Sequence, residues 1–205
     1  MQHLFPPSFA GQPKPPALML RRLQRRHEAL MGPPTDRLFL AVLPDQETAV
    51  RIAKRVRHLR LSHGLTGKGV RPEHFHVTLC RIGNGIGVPH DVVDRVKERA
   101  GSVAMPSFRV SFDRAESFKN GALVLRGDGT IGLEILQQRL SDALDGQPRK
   151  ARVFTPHVTL LRDSHRVPEQ LIEPIEWTVR EVVLVHSLIG RTEHRHLARW
   201  TLGNA

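Results

Sequence analysis

The segment His-Val-Thr-Leu occurs twice in this chain, at residues 76–79 and again at 157–160. Both copies fall inside predicted strands, at about 75–82 and 154–161, which implies a chain built from two related halves. Side chains alternate along a strand, so His and Thr two positions apart share a face, about 7 Å apart at roughly 3.3 Å per residue. Val77 and Val158 then point the opposite way, into a core. A strand with one wet wall and one dry wall is how a cleft is lined. If the halves pack about a pseudo-twofold axis, the wet faces meet and gather two imidazoles and two hydroxyls around one volume. That set suits a tetrahedral phosphate.

The stretches around the repeat predict an α+β chain. Arg37–Leu43 is a nearly continuous apolar run closed by Pro44, the pattern of a strand buried on both faces. Asp45 is a fitting N-cap for a helix in which Ala49, Ile52, Ala53, Val56 and Leu59 face inward and Arg51, Lys54, Arg55 and Arg57 face outward. A second helix runs from Pro89, and a third spans about Ile131–Leu144 with leucines along one stripe. Phe108–Phe112 and Gly121–Leu125 read as antiparallel neighbours around the Asn120-Gly121 turn. Trp177–Ile189 reads as one valine-rich strand, and His196–Leu202 as the closing strand.

A chain of 205 residues makes one domain, or two small lobes sharing a core. No apolar run approaches the roughly 18 residues that cross a bilayer, and the N-terminus lacks the pattern of a secretory signal, so no membrane partner is expected. The single cysteine, Cys80, has no internal partner, which fits a reducing compartment, and the chain reads as cytoplasmic. Residues 1–36 hold seven of the fifteen prolines and five of the basic residues, and read as a poorly ordered basic extension before a domain over 37–205. Formal net charge is +11, and most of the excess lies beyond that extension. Such a body favours polyanionic partners by attraction and counterion release.

Two histidines of near-neutral pKa can divide the proton transfers that open a cyclic phosphodiester, one taking a proton from water and the other giving one to the departing oxygen. Thr78 and Thr159 can donate to nonbridging oxygens, and Arg162, five residues after His157, can offset developing charge. The scheme needs no metal or other cofactor. His74-Phe75-His76 and His194-Arg195-His196 carry histidines at close spacing, yet no cysteine pair, His-Glu-x-x-His or aspartate cluster accompanies them. His74 reads as lining the cleft, with orienting His76 as the other reading, Cys80 as a small packed residue, and the glycines at 83, 85 and 87 as a flexible loop.

Over residues 37–202 the chain resembles the two-histidine (2H) phosphoesterases, and among them the 2'-5' RNA ligase or RNA 2',3'-cyclic phosphodiesterase group. The resemblance rests on Arg37–Pro44, on Pro72–Leu79 with Gly83, on Phe154–Arg162, and on Trp177–Ser187 with Leu197–Trp200. It implies a bilobal fold, two antiparallel sheets with flanking helices related by a pseudo-twofold around a central cleft. It also implies hydrolysis of an RNA 2',3'-cyclic phosphate to a 2'-phosphate, with 2'-5' ligation as the reverse type of reaction. By motif position His76 is the acid and His157 the base, and the sequence leaves the opposite assignment open. Leu40 and Arg81 stand where relatives often carry aromatic residues; Arg81 reads as a surface arginine, with added charge near the cleft as the other reading. Two rival readings are a non-catalytic protein that holds RNA ends and a phosphoesterase acting on a small cyclic nucleotide. No obligate protein partner is evident.

Overall fold

The computed structural model describes residues 33–146 and 154–203. Almost all of the expected extension lies outside them. The chain forms β1 (Asp36–Val42), α1 (Gln46–His63), β2 (Val77–Gly85), α2 (His90–Gly101), β3 (Phe108–Ser117) and β4 (Ala122–Arg126). It continues with α3 (Ile131–Asp145), β5 (Val158–Arg162), β6 (Gln170–Val179), β7 (Glu181–Leu188) and β8 (Glu193–Thr201). A 3-10 turn, Pro72–His74, precedes β2.

Each helix forms where its apolar residues repeat at helical spacing. In α1 the Asp45 carboxylate accepts from the Thr48 amide at 2.8 Å, and Gly64, at φ 61°, ends the helix in the left-handed conformation. Its buried row is Ala49, Ile52, Val56 and Leu59, those of the expected inward face except Ala53, which is only half-buried. In α2 the buried residues are Val93, Val96 and Ala100, and in α3 they include Leu133, Leu136 and Leu140.

The strands join in the order β6-β3-β4-β5-β2-β1-β7-β8, every neighbouring pair antiparallel. The sheet is two four-stranded halves that meet at one residue pair, Val77 against Val158. These valines begin β2 and β5, so the two copies of the repeat sit side by side at the seam. Leu38, Leu40 and Val42 of β1 pack with Ile52, Leu59 and Leu133 in the main core, while Phe39 and Ala41 pack with Val183 and Val185 on the opposite face. The expected two-sided burial of β1 comes from these two clusters.

Three local expectations change. Both repeat histidines stand one residue before their strands instead of inside them. The single strand expected over 177–189 is two, broken at Arg180, with β6 at one end of the sheet and β7 three strands beyond the seam. Apolar residues run on through the break, so periodicity alone does not reveal it. Residues 83–85, expected as loop, extend β2 against β1.

Candidate active site

Each histidine is held by the same local device. The Nδ1 of His76 donates to the carbonyl of His74 at 2.7 Å, and the Nδ1 of His157 donates to that of Thr155 at 2.7 Å. A carbonyl only accepts, so Nδ1 carries the proton in both rings and Nε2 keeps its lone pair. Neither Nε2 has a hydrogen-bond partner among the described residues. Each ring also lies on a phenylalanine. Phe39 stacks on His76 with centroids 5.0 Å apart, and Phe118 meets His157 edge-on at 5.0 Å.

Their electrostatic settings differ. Burial above all holds the His76 imidazolium below the ordinary histidine value, and the charges of His157, His74 and Arg37 push the same way against the pull of the His74 carbonyl. Burial also lowers His157, where the added charges are Arg126 and Arg162. Both rings are therefore neutral bases in the free protein near pH 7, and each is poised to hold a proton once an anion supplies the countercharge.

A bulge in each half arranges the remaining groups. Thr78 pairs with Ala41 and Cys80 with Leu40, while Arg81 pairs with Phe39, so Leu79 and Cys80 both turn into the core. In the other half Thr159 pairs with Val124, Leu161 with Leu123 and Arg162 with Ala122, and Leu160 and Leu161 are both fully buried. The shift returns Arg81 to the face of Thr78, and Arg162 to the face of Thr159. Strict alternation would have buried both guanidinium groups. Both threonines are half-buried, and their hydroxyls have no hydrogen-bond partner among the described residues.

A strap formed by residues 66–70 runs along the edge of β5. Val70 donates its amide to Leu160 at 2.8 Å, Arg162 donates its own to Lys68, and Gly69 bridges Leu161. The Asp163 carboxylate fastens the strap by accepting from the amides of Thr66 at 2.9 Å and Gly67 at 2.6 Å. Contact is so close at Gly67 that an added Cβ would lie 1.9 Å from the carbonyl oxygen of Arg162.

The structure thus places His76, Thr78, His157, Thr159 and Arg162 about the seam, and it adds neighbours whose contact with His76 the sequence does not reveal. The His194 ring on β8 stacks on His74 at 4.2 Å and meets His76 edge-on at 5.6 Å. Burial first, then the charges of His74, His76, His196 and Arg37, lower His194 to about 4. His74, expected on the strand to line the cleft or to orient His76, ends the 3-10 turn, where its carbonyl orients His76 and its ring stacks on His194. Arg37 also belongs to this face, and its Nε donates to Asn84 at 3.2 Å. Among the described residues no three His, Cys, Asp or Glu side chains are grouped to hold a metal ion. Cys80 is buried, its Sγ 3.5 Å from the Ser141 hydroxyl, with burial raising its thiol pKa.

Residues 48–190 match the family model of the 2'-5' RNA ligase superfamily. The chain is 28% identical over 178 residues to an RNA 2',3'-cyclic phosphodiesterase of Escherichia coli, a match covering 82% of this chain and 97% of that one. It is 32% identical over 85 residues to a protein of the same name from Archaeoglobus fulgidus, covering 41% of this chain and 45% of the relative. Among solved structures, E. coli LigT complexed with 3'-AMP superposes with a TM-score of 0.64 at 28% identity, covering 84% of this chain and all of LigT. A crystal structure described as a phosphoesterase superposes at 0.66 with 27% identity, over 84% of this chain and the whole of the other. With the family model matching well over half of its length, this chain belongs to the 2'-5' RNA ligase superfamily.

Proposed function

We propose that this protein hydrolyses RNA 2',3'-cyclic phosphate ends to 2'-phosphates, with His76 and His157 as its acid-base pair. One observation carries the assignment of residues: two imidazoles at one seam, each fixed through Nδ1 to a carbonyl two residues earlier, each with a free Nε2. The relatives named as RNA 2',3'-cyclic phosphodiesterases support the substrate.

His157 Nε2 takes a proton from water as its oxygen bonds to phosphorus. The bond from phosphorus to the ribose O3' breaks, and the His76 imidazolium gives its Nε2 proton to that oxygen. The phosphate stays on O2'; the same steps with a ribose 5'-hydroxyl in place of water make a 2'-5' bond, and their reversal cleaves it. The Thr78 and Thr159 hydroxyls donate to the nonbridging oxygens, and Arg162 offsets the charge that grows on them. Charge transfer is handled by side chains alone, so turnover persists in EDTA. The chain's excess of positive charge serves RNA binding, residues 37–205 form the catalytic domain, and one buried cysteine suits the cytoplasm.

The test is incubation of a cyclic-ended oligonucleotide with wild type, His76→Ala and His157→Ala, with the phosphate position of the product determined. Each substitution should lower turnover by about 100-fold or more, the usual worth of a general acid or base. Near-full activity in either variant, loss of wild-type turnover in EDTA, or a 3'-phosphate product overturns the reading. RNA bound without any product would establish the non-catalytic alternative.

A further inference from the structure

The repeat extends further than its four shared residues. His76-Val77-Thr78-Leu79-Cys80-Arg81 and His157-Val158-Thr159-Leu160-Leu161-Arg162 end on arginines at the same spacing, after the same bulge, on the same face as their threonines. Arg81 is therefore the counterpart of Arg162 in the other half of the sheet. It is exposed and, among the described residues, has no hydrogen bond or ion pair. Beside it on the same face, Arg37 is two residues from Phe39, the register partner of Arg81. Burial first, and then the charges of Arg81 and Arg162, lower the pKa of the Arg37 guanidinium. Three cations thus lie close enough to repel one another, with no carboxylate paired to any of them among the described residues.

A cyclic phosphate carries one negative charge, and Arg162 with the two threonines already answers it. The surplus of two arginines calls for a second negative charge a short way along the ligand. Resting on the function proposed above, we propose that Arg81 and Arg37 form a subsite for the internucleotide phosphate preceding the cyclic end, so that the site prefers an RNA strand to a mononucleotide. Guanidinium groups suit this role because their fork of donors matches phosphate geometry.

Binding of a 2',3'-cyclic mononucleotide and of a cyclic-ended dinucleotide is measured by calorimetry in the His157→Ala background, so that the readout is independent of turnover. The dinucleotide should bind about tenfold more tightly, the worth of one charge-assisted contact. Adding Arg81→Gln should bring the ratio of the two affinities near one, and Arg81→Lys should restore part of it. Arg109→Gln removes the same charge from the Glu176 pair on β3 and should leave the ratio intact. A wild-type-like ratio in Arg81→Gln overturns the subsite. So does equal binding of the two ligands before Arg81 is changed, or an equal loss with Arg109→Gln, which would mark a diffuse field. Failure of the hydrolytic reading shows separately, as absence of product from cyclic-ended RNA with the wild-type chain.

Discussion

Two histidines of identical local sequence become chemically unlike through what lies beside them. His76 sits among other imidazoles with Phe39 beneath it, whereas His157 faces Arg126 and Arg162 with Phe118 at its edge. Catalysis needs one ring neutral and one protonated, and both lie below the ordinary value of 6.5 in the free protein. The profile of kcat/KM, which reports the free enzyme, should therefore be bell-shaped and centred below 6.5. Bound phosphate favours imidazolium, so the profile of kcat should move upward relative to it. A kcat/KM optimum above that value would contradict the assignment. At this scale the sequence is highly informative wherever chemistry is local: the spacing within each repeat singles out His76, Thr78, His157, Thr159 and Arg162 without a structure. Arg81 stands at the same spacing, but strict alternation puts it on the opposite strand face from Thr78 and conceals the bulge that returns it. His194 gives no local signal. It lies on β8, three strands from β2 in the sheet, and its ring meets His76 only in the folded chain.

Among the elements, the strap and the bulges decide where guanidinium groups point. Gly67 has no space for a side chain, since the clashing atom is the backbone carbonyl of Arg162. Gly67→Ala must lift the strap off β5 or displace Arg162. Its expected cost is about 1–3 kcal/mol of stability, the usual penalty for overpacking. Turnover should fall by about tenfold, a drop of the size one misplaced charge-assisted contact brings. Thermal melts and steady-state kinetics check the two effects, and unaltered values for both would mean that the strap does not position Arg162. The helices and the β3-β4 hairpin were legible because capping, apolar spacing and the Asn-Gly turn are local signals, and Gly121 takes the positive φ of 79° that the turn demands. The break between β6 and β7 was not, because Trp177, Val179, Val182 and Val183 look alike whether they continue one strand or divide between two. Only pairing partners tell those cases apart.

Across the whole molecule, the path of the chain treats the two halves unequally. The half that carries His157 is contiguous, β3 to β6, whereas the half that carries His76 takes β1 and β2 from one end and β7 and β8 from the other. Pairing β1 with β7 closes a loop of most of the domain, at an entropic cost that grows with loop length. Amides of β3 and β4 should therefore gain protection before those of β1 and β7 in pulsed hydrogen exchange during refolding. Simultaneous protection would show that the halves form together. The same asymmetry gives the single-pair seam a meaning during biosynthesis. The ribosome can release a finished His157 half while β1 still waits for β7, so the two histidines come into register only after nearly the entire chain has emerged. A chain ended before β7 should then show no turnover of cyclic-ended RNA, because competence arrives as the final act of assembly.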